Sequence, residues 1–133
     1  MSGIKELDVL LKEMHPKLSD REYVFCTFQS VKADFVSDLN PICTFHEDEG
    51  LTVVVEKTTA SKANLQFNEI FRKITLQVHS SLEAVGLTAV VSTALANKGI
   101  SSNIIAAYYH DHVFVPSNKS DIAINVLKSL SMD

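Results

Sequence analysis

Gly86 stands where an apolar alternation, Ile74, Leu76 and Val78, gives way to the helical spacing of Leu87, Val90, Val91, Ala94 and Leu95. A strand that hands over to a helix through glycine can turn sharply, and a residue without a β-carbon lets another molecule approach the main chain. The helix beginning there has free N–H groups and the positive end of its dipole at the turn, which suits a carboxylate. Other groupings carry side chains able to do chemistry. His110 and His112 are two apart, so on a strand both face one way, and with His46 or His79 they form a candidate metal set. Cys26 or Cys43 paired with a histidine would make a nucleophile, but both lie in apolar strand patterns where a thiol is usually inert. Glu47-Asp48-Glu49 reads as a solvated hairpin tip, and Asp111 as a turn residue. No spacing supplies a third metal ligand or an activated nucleophile, so the expectation is no metal, no cofactor and no enzyme.

The elements that position these groups follow from periodicity. Ile4, Leu7, Leu10, Leu11 and Met14 mark an amphipathic helix with Ser2 as its candidate cap and Pro16 as its stop. Lys17–Glu22 reads as a polar turn, and residues 23–30 (YVFCTFQS) as a strand. Residues 31–41 are ambiguous, closing at Asn40-Pro41. Residues 42–57 form a hairpin around His46–Gly50, and residues 58–66 a short helix or a linker. Phe71–Val78 is a strand, and the helix after Gly86 ends at Gly99. Ile104–Tyr109 and Val113–Val115 are strands joined tightly through His110-Asp111-His112. Pro116 closes the second, and Ile122, Ala123, Val126, Leu127 and Leu130 give a last helix capped by Ser117 or Ser120. From residue 71 the order is β-α-β-β-α, a ferredoxin-like split unit lacking its final strand. An edge left open beside Phe71–Val78 needs a cover, and the first half is the candidate.

Composition narrows the class. The chain has 133 residues, 46% of them hydrophobic, enough for one ordinary domain or two small half-domains. No apolar run approaches the roughly 18 residues that cross a bilayer, and the N-terminus mixes charge with hydrophobe, so a cytoplasmic protein without membrane contact is expected. Two cysteines make no disulfide framework. The net charge of −4 falls on residues 1–66, with 7 basic and 11 acidic groups, while residues 67–133 carry 5 of each. Neither half offers the basic face that nucleic acid requires.

The βαββα run, the glycine loop before its helix and the Gly99-Ile100 pair leading into its second strand resemble an ACT domain, the small regulatory module that binds amino acids. The strings YVFCTF, TFHEDEGLTVVVEK, SSLEAVGLTAVVSTALANKGIS and AYYHDHVFVP are similar to a bacterial branch of tandem ACT-like proteins and to the ACT modules of the CASTOR-type arginine sensors, over about residues 17–130. The resemblance implies an α+β ferredoxin-like ACT fold in two tandem halves, residues 1–66 (helix plus degenerate half) and 67–133. It implies a ligand held between modules by two elements. Carried onto this chain, the first is Ser80, Ser81, Ala84, Val85 and Gly86, with Leu87 adding a backbone N–H. The second is Ile100, Ser101, Ser102 and Asn103, and Asp111 falls where the sensors place an aspartate against a cationic side chain. The chain departs at Ala84, where the sensors are acidic, which leaves the ligand's side chain open. A homodimer or higher homo-oligomer follows, because two halves stand where the sensors have four modules. The competing reading is an ACT-like assembly module with no ligand.

Overall fold

The structure, a computed structural model, describes residues 6–79 and 86–131. The chain divides into two compact units, Arg21–Phe71 and Met1–Asp20 with Arg72–Asp133.

In the first of these, most of β1 (Lys17–Phe28) is followed by α2 (Ala33–Asp38), β2 (Cys43–Glu47), β3 (Gly50–Glu56) and α3 (Lys57–Lys62). The strand order is β2-β3-β1. β3 pairs antiparallel with β1 through Cys26↔Val53 and Val24↔Val55, and with β2 from Cys43↔Val54 to Glu47↔Gly50. That register turns Val24, Cys26, Val53 and Val55 to one face, where Leu39 and Ala60 cover them. The expected hairpin over residues 42–57 is present, and its turn is Asp48-Glu49. Gly50 is where the ladders crowd: a β-carbon there would stand 2.5 Å from the Phe28 carbonyl oxygen.

In the second unit, α1 (Leu7–Lys12) and the opening residues of β1 join β4 (Phe71–Leu76), α4 (Leu87–Ala96), β5 (Asn103–Ala106), β6 (Asp111–Pro116), a 3-10 turn (Ser117–Lys119) and α5 (Ser120–Leu130). The strand order is β1-β4-β6-β5, so β1 pairs the edge of β4 that the sequence left open. Ile74, Leu76, Val113 and Val115 face Leu10, Val91, Leu95, Ala123 and Leu127, which places all three helices on one side of these strands. Both units run β-α-β-β-α with the first strand beside the third, the arrangement of a ferredoxin-like half.

Two expectations are corrected. Lys17–Glu22 is strand rather than turn. Its polar side chains do not prevent pairing, because Leu18 still packs on the core and Arg72 clamps the backbone. The Arg72 guanidinium donates to the Ser19 carbonyl from Nε (3.0 Å) and Nη2 (2.8 Å), and from Nη1 to Ser120 Oγ (3.3 Å). The second correction is the connection between β5 and β6. It runs through Ala107–His110, with Ala107 N–H donating to the His110 carbonyl at 3.0 Å, while Asp111 and His112 belong to β6. Tyr108 and Tyr109, which look like strand residues, are the turn's exposed aromatics.

Candidate functional site

The glycine turn is built by the backbone. Gly86 sits at φ +102 as the N-cap of α4, and its carbonyl accepts from Val90 N–H at 2.9 Å. Among the described residues a β-carbon there would meet nothing nearer than a Leu7 methyl at 3.4 Å, an ordinary contact. Glycine is required at this position by conformation rather than by crowding. Among the described residues no side chain caps the helix, and its first turn holds no acidic residue. Leu87 turns its side chain into the core with Val91 and Leu95, so only its main chain is left for the turn. Ser80, Ser81, Ala84 and Val85 lie outside the described residues.

The second predicted element lies at the far end of the same helix. Ten residues of α4 separate it from Gly86, roughly 15 Å at the helical rise. Gly99 N–H donates to Ala96 and Ile100 N–H to Leu95, a paired closure that satisfies the last carbonyls of α4. Ile100 is therefore committed twice, its N–H to the helix end and its side chain to the core. Lys119 Nζ holds the Gly99 carbonyl at 2.9 Å. Ser101 and Asn103 are exposed and Ser102 is half-buried, with Asn103 opening β5 opposite Phe114. Among the described residues of this unit, Gly86 does not meet Ile100–Asn103.

Asp111 pairs with Ala106, so it sits at the opposite end of the β5–β6 ladder from Asn103, roughly 10 Å along the strands. Alternation along β6 puts its side chain on the face of Val113 and Val115, and it is buried. Burial raises its pKa, and the His110 charge pulls the other way. His110 Nδ1 donates to the Val78 carbonyl at 3.3 Å, which ties this end of the hairpin to the chain just past β4. Of the predicted residues, Gly86 and Ile100 thus lie at opposite ends of α4, and Asp111 and Asn103 at opposite ends of the β5–β6 ladder.

The remaining groups resolve simply. His112 Nδ1 shares a hydrogen bond with Thr75 Oγ1 at 2.9 Å, and burial, then Lys73, then His110 lower its pKa. Among the described residues no three histidine, cysteine or acidic side chains are placed to hold one metal ion. Cys26 is buried and its thiol pKa is raised by desolvation. Two features were not anticipated. His79, Tyr108 and Tyr109 form a ring cluster, with centroids 5.0 Å apart for the tyrosines and 5.4 Å for His79–Tyr109. The other unit holds a groove of about 550 Å³ lined by Phe25, Thr27, Phe28, Asn64, Gln66 and Asn68 among others, with no charged side chain in its wall. The signal for the groove was the polar–apolar alternation of residues 64–68, which resembles a strand but is not paired as one.

Family models of the ACT domain match the chain twice, over residues 2–72 and 66–129. Among solved structures, the chain is similar to a Vibrio cholerae protein of unknown function, described as a possible transport protein, at 50% identity over 98% of this chain and 100% of the other, with a TM-score of 0.86. It is also similar to an Agrobacterium tumefaciens protein at 15% identity, covering 87% of each chain with a TM-score of 0.72. The ligand-free regulatory subunit of aspartate kinase from Thermus thermophilus is similar at 10% identity, over 90% of this chain and 98% of that one, with a TM-score of 0.64. At the two lower identities the likeness concerns the fold. No curated relative matches the chain.

Proposed function

We propose that this chain, which belongs to the ACT-domain family, is a regulatory protein that binds an amino acid and has no catalytic role. The observation that carries the reading is the left-handed Gly86 turn at the start of α4, which no described side chain caps, within a chain matched twice by the ACT domain. The ligand's carboxylate takes the N–H groups around Gly86 and Leu87, with Ser80 and Ser81 assisting from the segment before the turn. Its ammonium meets the carbonyls of Ser101–Asn103 on a second surface, since these residues lie about 15 Å from Gly86 within their own unit. A second copy of the chain supplies that surface, which makes the working form a homodimer or a larger symmetric assembly. The narrower likeness to CASTOR-type sensors gives Asp111 the ligand's side chain. Response to the ligand passes through a change in assembly or through a protein partner.

Calorimetric titration with each of the twenty amino acids tests the proposal. One or a few should bind, and Gly86→Val should weaken that binding at least tenfold, the loss of one charge-assisted hydrogen bond of about 1.5–3 kcal/mol. If none of the twenty gives heat, the ligand reading fails and an assembly module without ligand takes its place.

A further inference from the structure

Residues 64–68 run beside the end of β1 without pairing to it. α3 closes with Leu65 N–H donating to the Ala60 carbonyl at 2.9 Å and with Asn64 in the left-handed region at φ +58, which ends the helix and sets the direction of the chain after it. Leu65, Phe67 and Ile70 then pack on the core of Val24, Cys26, Val53 and Val55. Burial alternates along the segment, so Asn64, Gln66 and Asn68 are exposed. Among the described residues no backbone hydrogen bond joins 65–68 to Cys26–Phe28, and the space left between these stretches is the groove of about 550 Å³. Cys26, Leu65 and Phe67 give it an apolar lining, and Thr27 with the three carboxamides a polar one. None of the three carboxamides hydrogen-bonds another described residue. Phe25 is braced edge-to-face by Phe71, with ring centroids 5.3 Å apart, and Phe28 by Phe35 at 5.7 Å.

We propose that this groove binds an uncharged nucleobase, free or as its nucleoside. Charge selects against most other small metabolites. The wall holds no Lys, Arg, His, Asp or Glu, and the Cys26 thiol, its pKa pushed up by burial, stays protonated at neutral pH. A phosphate, carboxylate or ammonium drawn from water into such a wall would lose hydration and gain no partner. An uncharged ligand must be held instead by hydrogen bonds along its edge and by contact with its faces. Each carboxamide sets a donor beside an acceptor, a pair that the edge of a base answers with two bonds at once, as adenine does through N6 and N7. The braced rings of Phe25 and Phe28 supply the aromatic surface on which a base stacks. A purely apolar ligand would leave the carboxamides unpaired, and a polyol would not use the rings. The volume falls within the roughly 300–1,000 Å³ of small-molecule sites. Because the groove lies wholly within the Arg21–Phe71 unit, it stands independently of the amino acid reading at Gly86.

Calorimetric titration of the full chain without any added amino acid tests it, so failure here is distinct from failure at Gly86. The probes are adenosine, inosine, cytidine and uridine, their free bases, their 5′-monophosphates, and glucose. At least one nucleoside or base should bind with a Kd of about 1 mM or tighter, and the matching 5′-monophosphate at least about tenfold more weakly. Equal affinity for base and nucleoside supports recognition of the ring alone, and tighter binding of the nucleoside supports recognition of ring and sugar together. With the 15N-labelled chain, the side-chain NH2 signals of Asn64, Gln66 and Asn68 should shift on binding. Gln66→Leu keeps the bulk and removes the donor and acceptor, so it should weaken binding about fivefold or more while the urea midpoint stays unchanged. No binding of any nucleoside or base at about 5 mM overturns the proposal. So does a monophosphate that binds as tightly as its nucleoside, glucose that binds more tightly than every nucleoside, or saturation that leaves the three carboxamide signals unmoved.

Discussion

Gly50 and Gly86 both hold positive φ, yet the structure separates what a methyl group would cost at each. At Gly86, φ +102 is unfavourable for any L side chain, but among the described residues the added carbon would meet only the Leu7 side chain, at 3.4 Å and beyond. Gly86→Ala therefore carries backbone strain alone, about 1–2 kcal/mol. At Gly50, φ +155, the same carbon would lie 2.5 Å from the Phe28 carbonyl oxygen, 3.1 Å from its carbon and 3.3 Å from Thr27 Oγ1. Those are atoms of β1 in the ladder that pairs Phe28 with Leu51, and a backbone cannot yield as a flexible side chain does. An overpacking cost of about 1–3 kcal/mol adds to the strain, so Gly50→Ala should cost about 2–5 kcal/mol in all. Against the roughly 5–15 kcal/mol typical of a domain, that is a large fraction. Urea unfolding at 25 °C reads both, followed by far-ultraviolet circular dichroism because the chain has no tryptophan. A Gly86→Ala loss equal to or larger than that of Gly50→Ala would refute the reasoning.

Three further outcomes are expected. Arg72→Met removes the two bonds to the Ser19 carbonyl and the one to Ser120, and should cost about 2–4 kcal/mol in the urea titration. Arg72→Lys should recover only part, since an ammonium cannot reproduce the fork. Burial raises the Asp111 pKa above 3.8, so between that value and the raised one the folded chain holds more protons than the unfolded one, and stability falls as pH rises through the window. Asp111→Asn should remove that slope, matching or exceeding wild-type stability near neutral pH, with the difference closing as pH falls toward about 4. A steeper slope in the variant would contradict the burial argument. With a thiol reagent, the half-buried Cys43 should react in the native chain at least about tenfold faster than the buried Cys26, and equal rates would place Cys26 at the surface.

Much of the fold was legible because its signals are local. The acidic glycine turn announced the β2–β3 hairpin, and the stripes of Leu87–Leu95 and Ile122–Leu130 announced α4 and α5. The strand over Lys17–Glu22 was not legible, because its side chains read as a turn and its pairing comes from residues more than fifty positions away, such as Arg72. Tyr108 and Tyr109 misled in the opposite direction, as aromatic residues with strand propensity that end in an exposed turn. The site was legible only in part. Gly86 could be read as a glycine-requiring turn from the change of period around it. That Asp111 is buried depends on its register opposite Ala106, and that Ile100 is spent on closing α4 depends on its bond to Leu95; no spacing in the sequence reports either.

Amide chemical shifts report, residue by residue, whether an amino acid is held at the Gly86 turn. The most direct test is a titration of the 15N-labelled chain, followed by amide chemical shifts, with the amino acid that gives the strongest calorimetric response. The Gly86 and Leu87 amides should move first and furthest, and those of Ser101–Asn103 with them. Shifts confined to the neutral groove around Thr27, Asn64 and Gln66, with Gly86 and Leu87 unmoved at saturation, would contradict it.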